Sequence, residues 1–152
     1  MKTTFYTFLI LSFTVTAWAG TADAEIEKIL DQYFQIHAAL AQDSTEGVDV
    51  AAREIISVAS EAPATDSGVQ KLFDDVKKAA QQIQGKNLDE ARAAFFELSK
   101  PISAYLSNHY SGNKKYPVYF CSMSQKSWIQ AEKGVRNPYY GSSMLTCGTL
   151  AQ

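Results

Sequence analysis

Four apolar stripes, separated by short breaks, restrict the fold of this chain more than any other feature. Apolar side chains recur in each stripe at steps of three and four residues, which places them on one face of an α-helix. The stripes run over residues 26–40, 48–59, 69–83 and 88–109. Because the connections between them are short, consecutive helices are expected to pack antiparallel. The sequence therefore predicts an all-α fold, an up-down four-helix bundle.

Capping residues indicate where these helices begin and end. The Asp43-Ser44-Thr45 segment offers an N-cap for the second helix. Gly85 suits the end of the third, and Asn87 and Glu90 have the spacing of a capping box for the fourth. Pro101 lies inside the fourth stripe and is predicted to kink that helix or split it in two.

The C-terminal part differs in kind from the rest. We predict one domain, in which residues 24–110 form the bundle and residues 111–152 form an irregular tail that packs on it. Residues 117–121 are predicted to be extended, since Pro is tolerated at the first residue of a strand. Residues 127–133 are predicted to form a helical turn, and residues 142–147 another.

The first residues have the pattern of a secretory leader. Lys2 precedes an uncharged, mostly apolar stretch, and small residues follow at spacings that predict cleavage after Ala19 or Ala24. Residues 1–19 are therefore predicted to be a signal peptide. The apolar stretch is shorter than the roughly 20 residues that a membrane span requires. We predict an exported, soluble protein without a membrane span, periplasmic if its source is a Gram-negative bacterium.

Charge is distributed unevenly along the chain. Residues 20–112 carry 15 acidic and 8 basic side chains, residues 113–136 carry five basic side chains and one acidic, and residues 137–152 carry none. An acidic body with a basic tail lacks the strongly basic domain that is typical of nucleic-acid binding. The sequence also contains no Ser-His-Asp order, phosphate loop, dinucleotide fingerprint or His-Glu-x-x-His motif. Neither an enzyme nor a nucleic-acid-binding protein is predicted.

The sulfur-bearing residues of the tail form two close pairs, Cys121 with Met123 and Met144 with Cys147. Residues two apart in an extended segment point to the same side, and residues three apart on a helical turn are neighbours. Each pair therefore has the spacing that presents two sulfur atoms together. Thiolate and thioether ligands suit Cu(I), whereas thioether suits zinc poorly. On this pattern the four residues are candidate ligands of a soft-metal site.

The same two cysteines can instead form a disulfide, as cysteines of exported proteins usually do. A bridge between Cys121 and Cys147 would close a loop of roughly 27 residues and add about 3.5 kcal/mol in the chain-entropy model. Met123 and Met144 would then be ordinary core residues. The two interpretations are compatible, because a dithiol that binds Cu(I) can oxidise when the metal is absent.

The two histidines, His37 and His109, both lie on apolar stripes, where a buried histidine with a hydrogen-bond partner is the ordinary interpretation. Each is also an additional candidate metal ligand, and His109 is preferred because it is nearer to Cys121 in the sequence. In an up-down bundle the two histidines would lie at opposite ends, on the order of 20 Å apart. They are therefore not expected to serve one site together.

Four segments of the tail carry a resemblance to a known family. They are Tyr119-Phe120-Cys121-Ser122-Met123, Lys126-Ser127-Trp128-Ile129-Gln130, Arg136-Asn137-Pro138-Tyr139-Tyr140-Gly141 and Met144-Leu145-Thr146-Cys147-Gly148. These segments resemble a bacterial family of exported domains of unknown function, which also occurs as the C-terminal extension of periplasmic adaptor subunits of heavy-metal efflux systems. The helical part is similar to the same family over residues 33–43 and 92–99.

The resemblance implies an association with copper or silver handling, and it favours metal binding over the plain disulfide. It places the ligand role on Cys121, Met123, Met144 and Cys147, whereas neither histidine belongs to the family pattern. The expected function is a periplasmic protein that sequesters or transfers Cu(I) or Ag(I), with an efflux adaptor or another envelope protein as its partner. The alternative is a non-metal protein-interaction module stapled by a disulfide between the two cysteines.

Overall fold

The computed structural model describes residues 22–63, 66–109 and 116–151 of the 152-residue chain. The predicted signal peptide, residues 1–19, and the first residues of the predicted tail, 111–115, lie outside these ranges. The described residues form four α-helices followed by a small antiparallel sheet, so the fold is mainly helical. None of the described helices combines the length and the apolarity that crossing a membrane would require.

The helices follow the four stripes of the sequence. They are α1 (Ala22–Ala41), α2 (Val48–Glu61), α3 (Ser67–Ile83) and α4 (Leu88–His109). The apolar residues of all four stripes are buried in one core, in which each helix packs against the next along the chain. The prediction of four amphipathic helices is confirmed.

Local signals set most of the helix ends. Gly85 follows the end of α3 with φ +67°, a conformation that favours glycine. Asn87 and Glu90 form the expected capping box, with bonds of 3.1 and 3.4 Å. The N-cap predicted at residues 43–45 is wrong, because α2 begins only after Gly47 and has no side-chain cap. Pro101 does not divide α4, which continues as one helix to His109.

Helices α1 and α4 lie side by side in opposite directions. Three side-chain contacts show this, because residue numbers increase along α1 while those of their partners decrease along α4. The contacts join Asp23 to Tyr105 at 2.6 Å, Tyr33 to Ser99 at 2.8 Å, and the Leu40 carbonyl to Arg92 at 3.0 Å.

The tail is a three-stranded antiparallel sheet rather than an irregular segment, which corrects the sequence-based expectation. The strands are β1 (Val118–Cys121), β2 (Lys126–Ile129) and β3 (Thr149–Leu150), in the order β2-β1-β3. The strand β1 confirms the predicted extended segment. The helical turn predicted at residues 127–133 is wrong, since residues 127–129 belong to β2 and residues 130–133 are not helical.

Cross-strand packing explains why residues 126–129 are a strand. Trp128 lies opposite Tyr119 in the ladder, and the two rings stack with centroids 5.6 Å apart. Such aromatic pairs are a main source of stability in an antiparallel sheet. The outer edge of β2 is also occupied, since the Ile129 N–H donates to the Tyr33 hydroxyl and the Tyr139 hydroxyl donates to the Ser127 carbonyl. The strand is therefore held between β1 and side chains from outside the sheet.

Candidate soft-metal site at the end of the sheet

The pairing of β1 with β3 brings the two cysteines together. Phe120 pairs with Thr149, so one further step along the ladder places Cys121 opposite Gly148 and beside Cys147. The two Sγ atoms lie 2.7 Å apart, and the structure contains no disulfide bond between them. The sheet thus joins the two cysteines that the sequence singles out, at the point where β1 ends.

The two thiols differ in their access to solvent. Cys121 is the last residue of β1, belongs to the core and is 0 % exposed. Cys147 lies just before β3, packs against the same core and is only partly buried. A reagent or metal ion that arrives from solvent therefore meets Cys147 first.

The thiols also differ in their acidity. Burial opposes ionisation of Cys121, but the Cys147 thiol, the backbone N–H groups of Ser124 and Met123 and the Ser124 hydroxyl all favour the thiolate. Together they outweigh burial and lower the pKa of Cys121 to about 7. The pKa of Cys147 is raised, first because its thiol is hydrogen-bonded to Cys121 and then because of burial and the neighbouring charge. Near neutral pH the pair therefore supplies a thiolate, which is the form that binds metals.

The Ser124 hydroxyl has a special position in this environment. It is buried and makes no hydrogen bond of ordinary geometry, yet it contributes to lowering the pKa of Cys121. A hydroxyl without a partner is free to turn its proton toward a neighbouring anion. Ionisation of Cys121 would give this buried group the acceptor that it otherwise lacks.

Met123 lies in the loop that joins β1 to β2, and its side chain is 64 % exposed. Because β1 ends at Cys121, the two-residue alternation that predicted a shared direction for Cys121 and Met123 does not extend to this loop. The backbone N–H of Met123 nevertheless acts on both cysteines, since it lowers the pKa of each. The loop therefore begins against the thiol pair and leaves its thioether at the surface.

Met144 is placed by a turn. The short 3₁₀-helix that precedes it covers Gly141–Ser143, and the Cys147 N–H then donates to the Met144 carbonyl at 3.0 Å. This bond closes a four-residue turn whose end Cα atoms lie within about 7 Å of each other. The backbones of Met144 and Cys147 are thus joined by a turn, and not by the helical turn that the sequence predicted. The Met144 side chain is 36 % exposed.

Asn137 holds the segment that carries Cys147, and the sequence analysis did not assign it this role. The fully buried Asn137 side chain donates to the Cys147 carbonyl at 2.7 Å. Its oxygen accepts the backbone N–H groups of Tyr139 and Tyr140, at 2.8 and 3.2 Å. The backbone N–H of Asn137 donates to the Leu145 carbonyl at 2.7 Å. The Asn-Pro-Tyr-Tyr-Gly segment predicts a turn, but the sequence does not indicate that Asn137 would hydrogen-bond to the carbonyls of Leu145 and Cys147.

Gly148 fits closely against the indole ring of Trp128. A Cβ atom at this position would lie 2.5 Å from Trp128 Cη2 and 3.2 Å from Val135 Cγ1. The first distance is too short for any real contact, so a side chain at position 148 would displace the tryptophan or the strand. The residue after Cys147 is thereby held against the core of the tail.

An ion pair attaches the turn before Met144 to the helices. The Arg92 guanidinium lies 2.5 Å from Asp43, and Asp43 also accepts the Ser142 N–H at 3.0 Å. These hydrogen bonds, first those from Ser142 and then that from Arg92, lower the pKa of Asp43 to about 2. Gly141 passes so close over the pair that any side chain there would clash with it.

His37 is buried, and its Nε2 lies 2.8 Å from the Arg136 carbonyl. A carbonyl only accepts, so Nε2 carries the proton in this bond and is not free to bind a metal. Burial lowers the pKa of His37, although the bond to Arg136 acts in the opposite direction. The lowered pKa favours the neutral form of the ring. His37 therefore supports the tail next to Asn137, and this is the ordinary structural role for a buried histidine.

His109 is the last residue of α4, and its side chain is outside what the structure describes. The ring of His37 lies 6.4 Å from that of Phe95, and the α4 backbone between Phe95 and His109 spans on the order of 20 Å. The two histidines therefore lie at opposite ends of the helix pair. Over residues 22–63, 66–109 and 116–151, no group of three or more His, Cys, Asp or Glu side chains is arranged to hold a metal ion.

Fold and site together define a small, mainly helical protein that carries a pair of cysteine thiols at the end of a C-terminal sheet. The chain belongs to the family described as "Protein of unknown function (DUF3347)", whose model matches residues 29–114. The match covers α1 from Ile29 onward together with α2, α3 and α4, and it ends before Cys121. No curated protein and no solved structure matches the chain.

Proposed function

We propose that this protein is exported and binds Cu(I) or Ag(I), which it sequesters or passes on in connection with heavy-metal efflux. The observation that carries the proposal is the thiol pair, whose Sγ atoms lie 2.7 Å apart at the end of β1. Soft thiolates are preferred ligands of Cu(I), and the lowered pKa of Cys121 makes a thiolate available near neutral pH. The metal is the cargo of the protein in this proposal.

The exposed methionines complete the proposed ligand set. Met123 lies two residues after Cys121, and its backbone N–H lowers the pKa of both cysteines. Met144 is the turn partner of Cys147. Both thioethers are therefore attached beside the thiol pair while their side chains remain accessible. Two thiols at the end of the sheet and two thioethers on flexible stems would suit a site that has to receive and release a soft ion. A donor or acceptor such as an efflux adaptor or another envelope protein would be the partner.

An up-down arrangement of the four helices is part of the same proposal. Consecutive helices pack on each other, and α1 and α4 are antiparallel neighbours, which supports it. The sheet would then lie across α1 and α4, the two helices that supply Tyr33 and Arg92 to the tail.

A second candidate function is a metal-free interaction module stapled by a disulfide between Cys121 and Cys147. The proximity of the two sulfurs favours it as well, since a small movement would allow the bond to form. In this case the bridge would fasten the two-residue strand β3 to β1 in an otherwise lightly held C-terminal segment. The methionines decide between the two functions, because only metal binding needs their sulfur atoms.

The test is an anaerobic Cu(I) titration against a competing chelator, after the free thiols of the native protein have been counted. We expect tight binding of Cu(I) by the reduced protein, loss of binding in Cys121→Ser and Cys147→Ser, and weaker binding in Met123→Leu and Met144→Leu, which keep the volume and remove the sulfur. Val50→Ala, an exposed apolar position on α2, is the matched control. Natively bridged cysteines and a reduced form without Cu(I) affinity would favour the stapled module instead.

A further inference from the structure

We propose that Cys147 is a site of reversible modification by small-molecule thiols and disulfides, and that Cys121 is the resolving cysteine. The proposal does not depend on metal binding. It rests on the unequal burial of two cysteine residues whose sulfur atoms lie 2.7 Å apart. Its ligand class is a low-molecular-weight thiol with the corresponding disulfide, written RSH and RSSR below.

Access decides which sulfur reacts with an external reagent. Thiol–disulfide exchange is an in-line displacement, so the attacking sulfur must approach the attacked sulfur from the side opposite the leaving one. Cys121 is 0 % exposed and belongs to the core, which leaves no open approach to its far side. Cys147 is partly exposed and follows an exposed turn residue, Thr146. Reagents from solvent are therefore directed to Cys147.

The oxidising direction has two steps. The Cys147 thiolate attacks RSSR, which forms a Cys147–S–S–R mixed disulfide and releases RS⁻. Cys121, as its thiolate, then attacks Cys147 Sγ, which forms the Cys121–Cys147 bond and releases a second RS⁻. The two thiol protons leave with the two RS⁻ groups as RSH. The cysteine pair loses two electrons, and RSSR gains them.

The reducing direction retraces these steps. RS⁻ attacks Cys147 Sγ of the bridge, which breaks the S–S bond and releases the Cys121 sulfur as a thiolate at the end of β1. A second RS⁻ attacks the R sulfur of the mixed disulfide, which frees Cys147 and forms RSSR. The structure thus favours a mixed disulfide on Cys147 over one on Cys121.

The separation of Cys121 from solvent is maintained by the surrounding tail. The Asn137 side chain holds the Cys147 carbonyl at 2.7 Å, and Trp128 packs against Gly148. The two contacts fix the backbone from the Cys147 carbonyl to Gly148. The segment therefore presents the Cys147 sulfur between Cys121 and the surface, and does not swing away to uncover Cys121.

Single-cysteine variants of the metal-free protein test the proposal. Cys121→Ser leaves Cys147 alone, and Cys147→Ser leaves Cys121 alone, so each can form a mixed disulfide with oxidised glutathione that no second cysteine resolves. We expect Cys147 to react at least about ten-fold faster than Cys121, because attack requires an accessible thiol. Rates measured in guanidinium chloride, where both sites are unfolded, provide the control, and we expect them to be similar.

A second measurement uses the intact pair. The oxidised wild-type protein is treated with limiting glutathione, quenched in acid and alkylated, and the modified peptides are identified by mass spectrometry. We expect glutathione on Cys147 and the alkyl group on Cys121. Equal labelling of the two cysteines, or native rates that equal the denatured ones for both variants, would overturn the proposal. Neither result bears on Cu(I) affinity, which is measured separately.

Discussion

The Tyr33 hydroxyl of α1 accepts the backbone N–H of Ile129 at 3.1 Å and so occupies the outer edge of β2. The same hydroxyl lies 2.8 Å from Ser99 Oγ, and Ser99 Oγ donates to the Phe95 carbonyl. Because the Ser99 proton is used in that bond, Tyr33 must donate to Ser99. One chain of hydrogen bonds therefore runs from β2 through α1 to α4 and fixes the sheet on the helices.

We predict that Tyr33→Phe destabilises the protein by about 1–3 kcal/mol, which is the usual cost of a buried polar group that loses its partner. The substitution removes one oxygen atom and leaves the Ile129 N–H unpaired, because Tyr33 is fully buried and water does not reach it. The free energy of unfolding in urea measures the change.

Tyr140→Phe is the matched control, since the ring of Tyr140 is only partly buried. It removes the same atom from a position that water can reach, and we expect a change below about 0.5 kcal/mol. Equal losses in the two variants would argue against a special role for the Tyr33 hydroxyl.

Much of the helical fold follows from sequence periodicity, whereas the sheet does not. Each stripe is a local pattern, and its helix appears where the pattern predicts it. The strand β2 has no such local signal, because it is stabilised by Tyr119 across the ladder and by Tyr33, which is 96 residues away from Ile129. A segment whose structure depends on distant partners gives little indication of it in its own residues.

The candidate site shows the same division. The sequence predicted that Cys121 and Cys147 would meet, as ligands or as a bridge, and they do meet. It did not predict that one thiol would be buried and the other accessible, because spacing contains no information on depth. Asn137 was also missed, since its turn signal describes residues 137–141 and not the carbonyl of Cys147 that its side chain holds.

Asp43 makes the attachment of the tail sensitive to acid. Its pKa is lowered to about 2 from an ordinary value of 3.8, chiefly by hydrogen bonds from Ser142 and Arg92. A carboxyl with a depressed pKa stabilises the folded state above its unfolded pKa, and the contribution is lost as pH falls through the folded pKa. We predict that the urea midpoint of the wild type exceeds that of Asp43→Asn at pH 6, and that the difference shrinks as pH falls from about 4 to about 2.

Asp89→Asn is the control for this experiment. Asp89 lies 4.0 Å from the same guanidinium, but its side chain is 95 % exposed, so its ion pair with Arg92 is expected to contribute little. Its urea midpoint should follow that of the wild type across the pH range. If Asp43→Asn also followed the wild type, the Asp43–Arg92 contact would not hold the tail.

Asn137 gives the most specific prediction, because its amide donates at one end and accepts at the other. Asn137→Asp retains an oxygen for the Tyr139 and Tyr140 N–H groups but replaces the donor to the Cys147 carbonyl with a second acceptor. At neutral pH two oxygens then face each other in a buried site. We expect a loss of about 1–3 kcal/mol in the free energy of unfolding, together with faster alkylation of Cys121 as the Cys147 segment loosens.

Acid should partly restore the Asn137→Asp protein. Protonation gives the new carboxyl a hydroxyl that can donate to the Cys147 carbonyl, while its other oxygen still accepts from the turn. Burial and the facing carbonyl oxygen raise the pKa of the new carboxyl above that of an unfolded aspartic acid, about 3.9. The deficit relative to wild type should therefore decrease as pH falls through the raised pKa and level off below about pH 4. Asn137→Ala has no group to protonate, so its deficit should stay constant over the same range. Parallel pH profiles for the two variants would contradict a donor role for Asn137, whereas a recovery confined to Asn137→Asp would identify the bond to Cys147 as the one that positions the thiol.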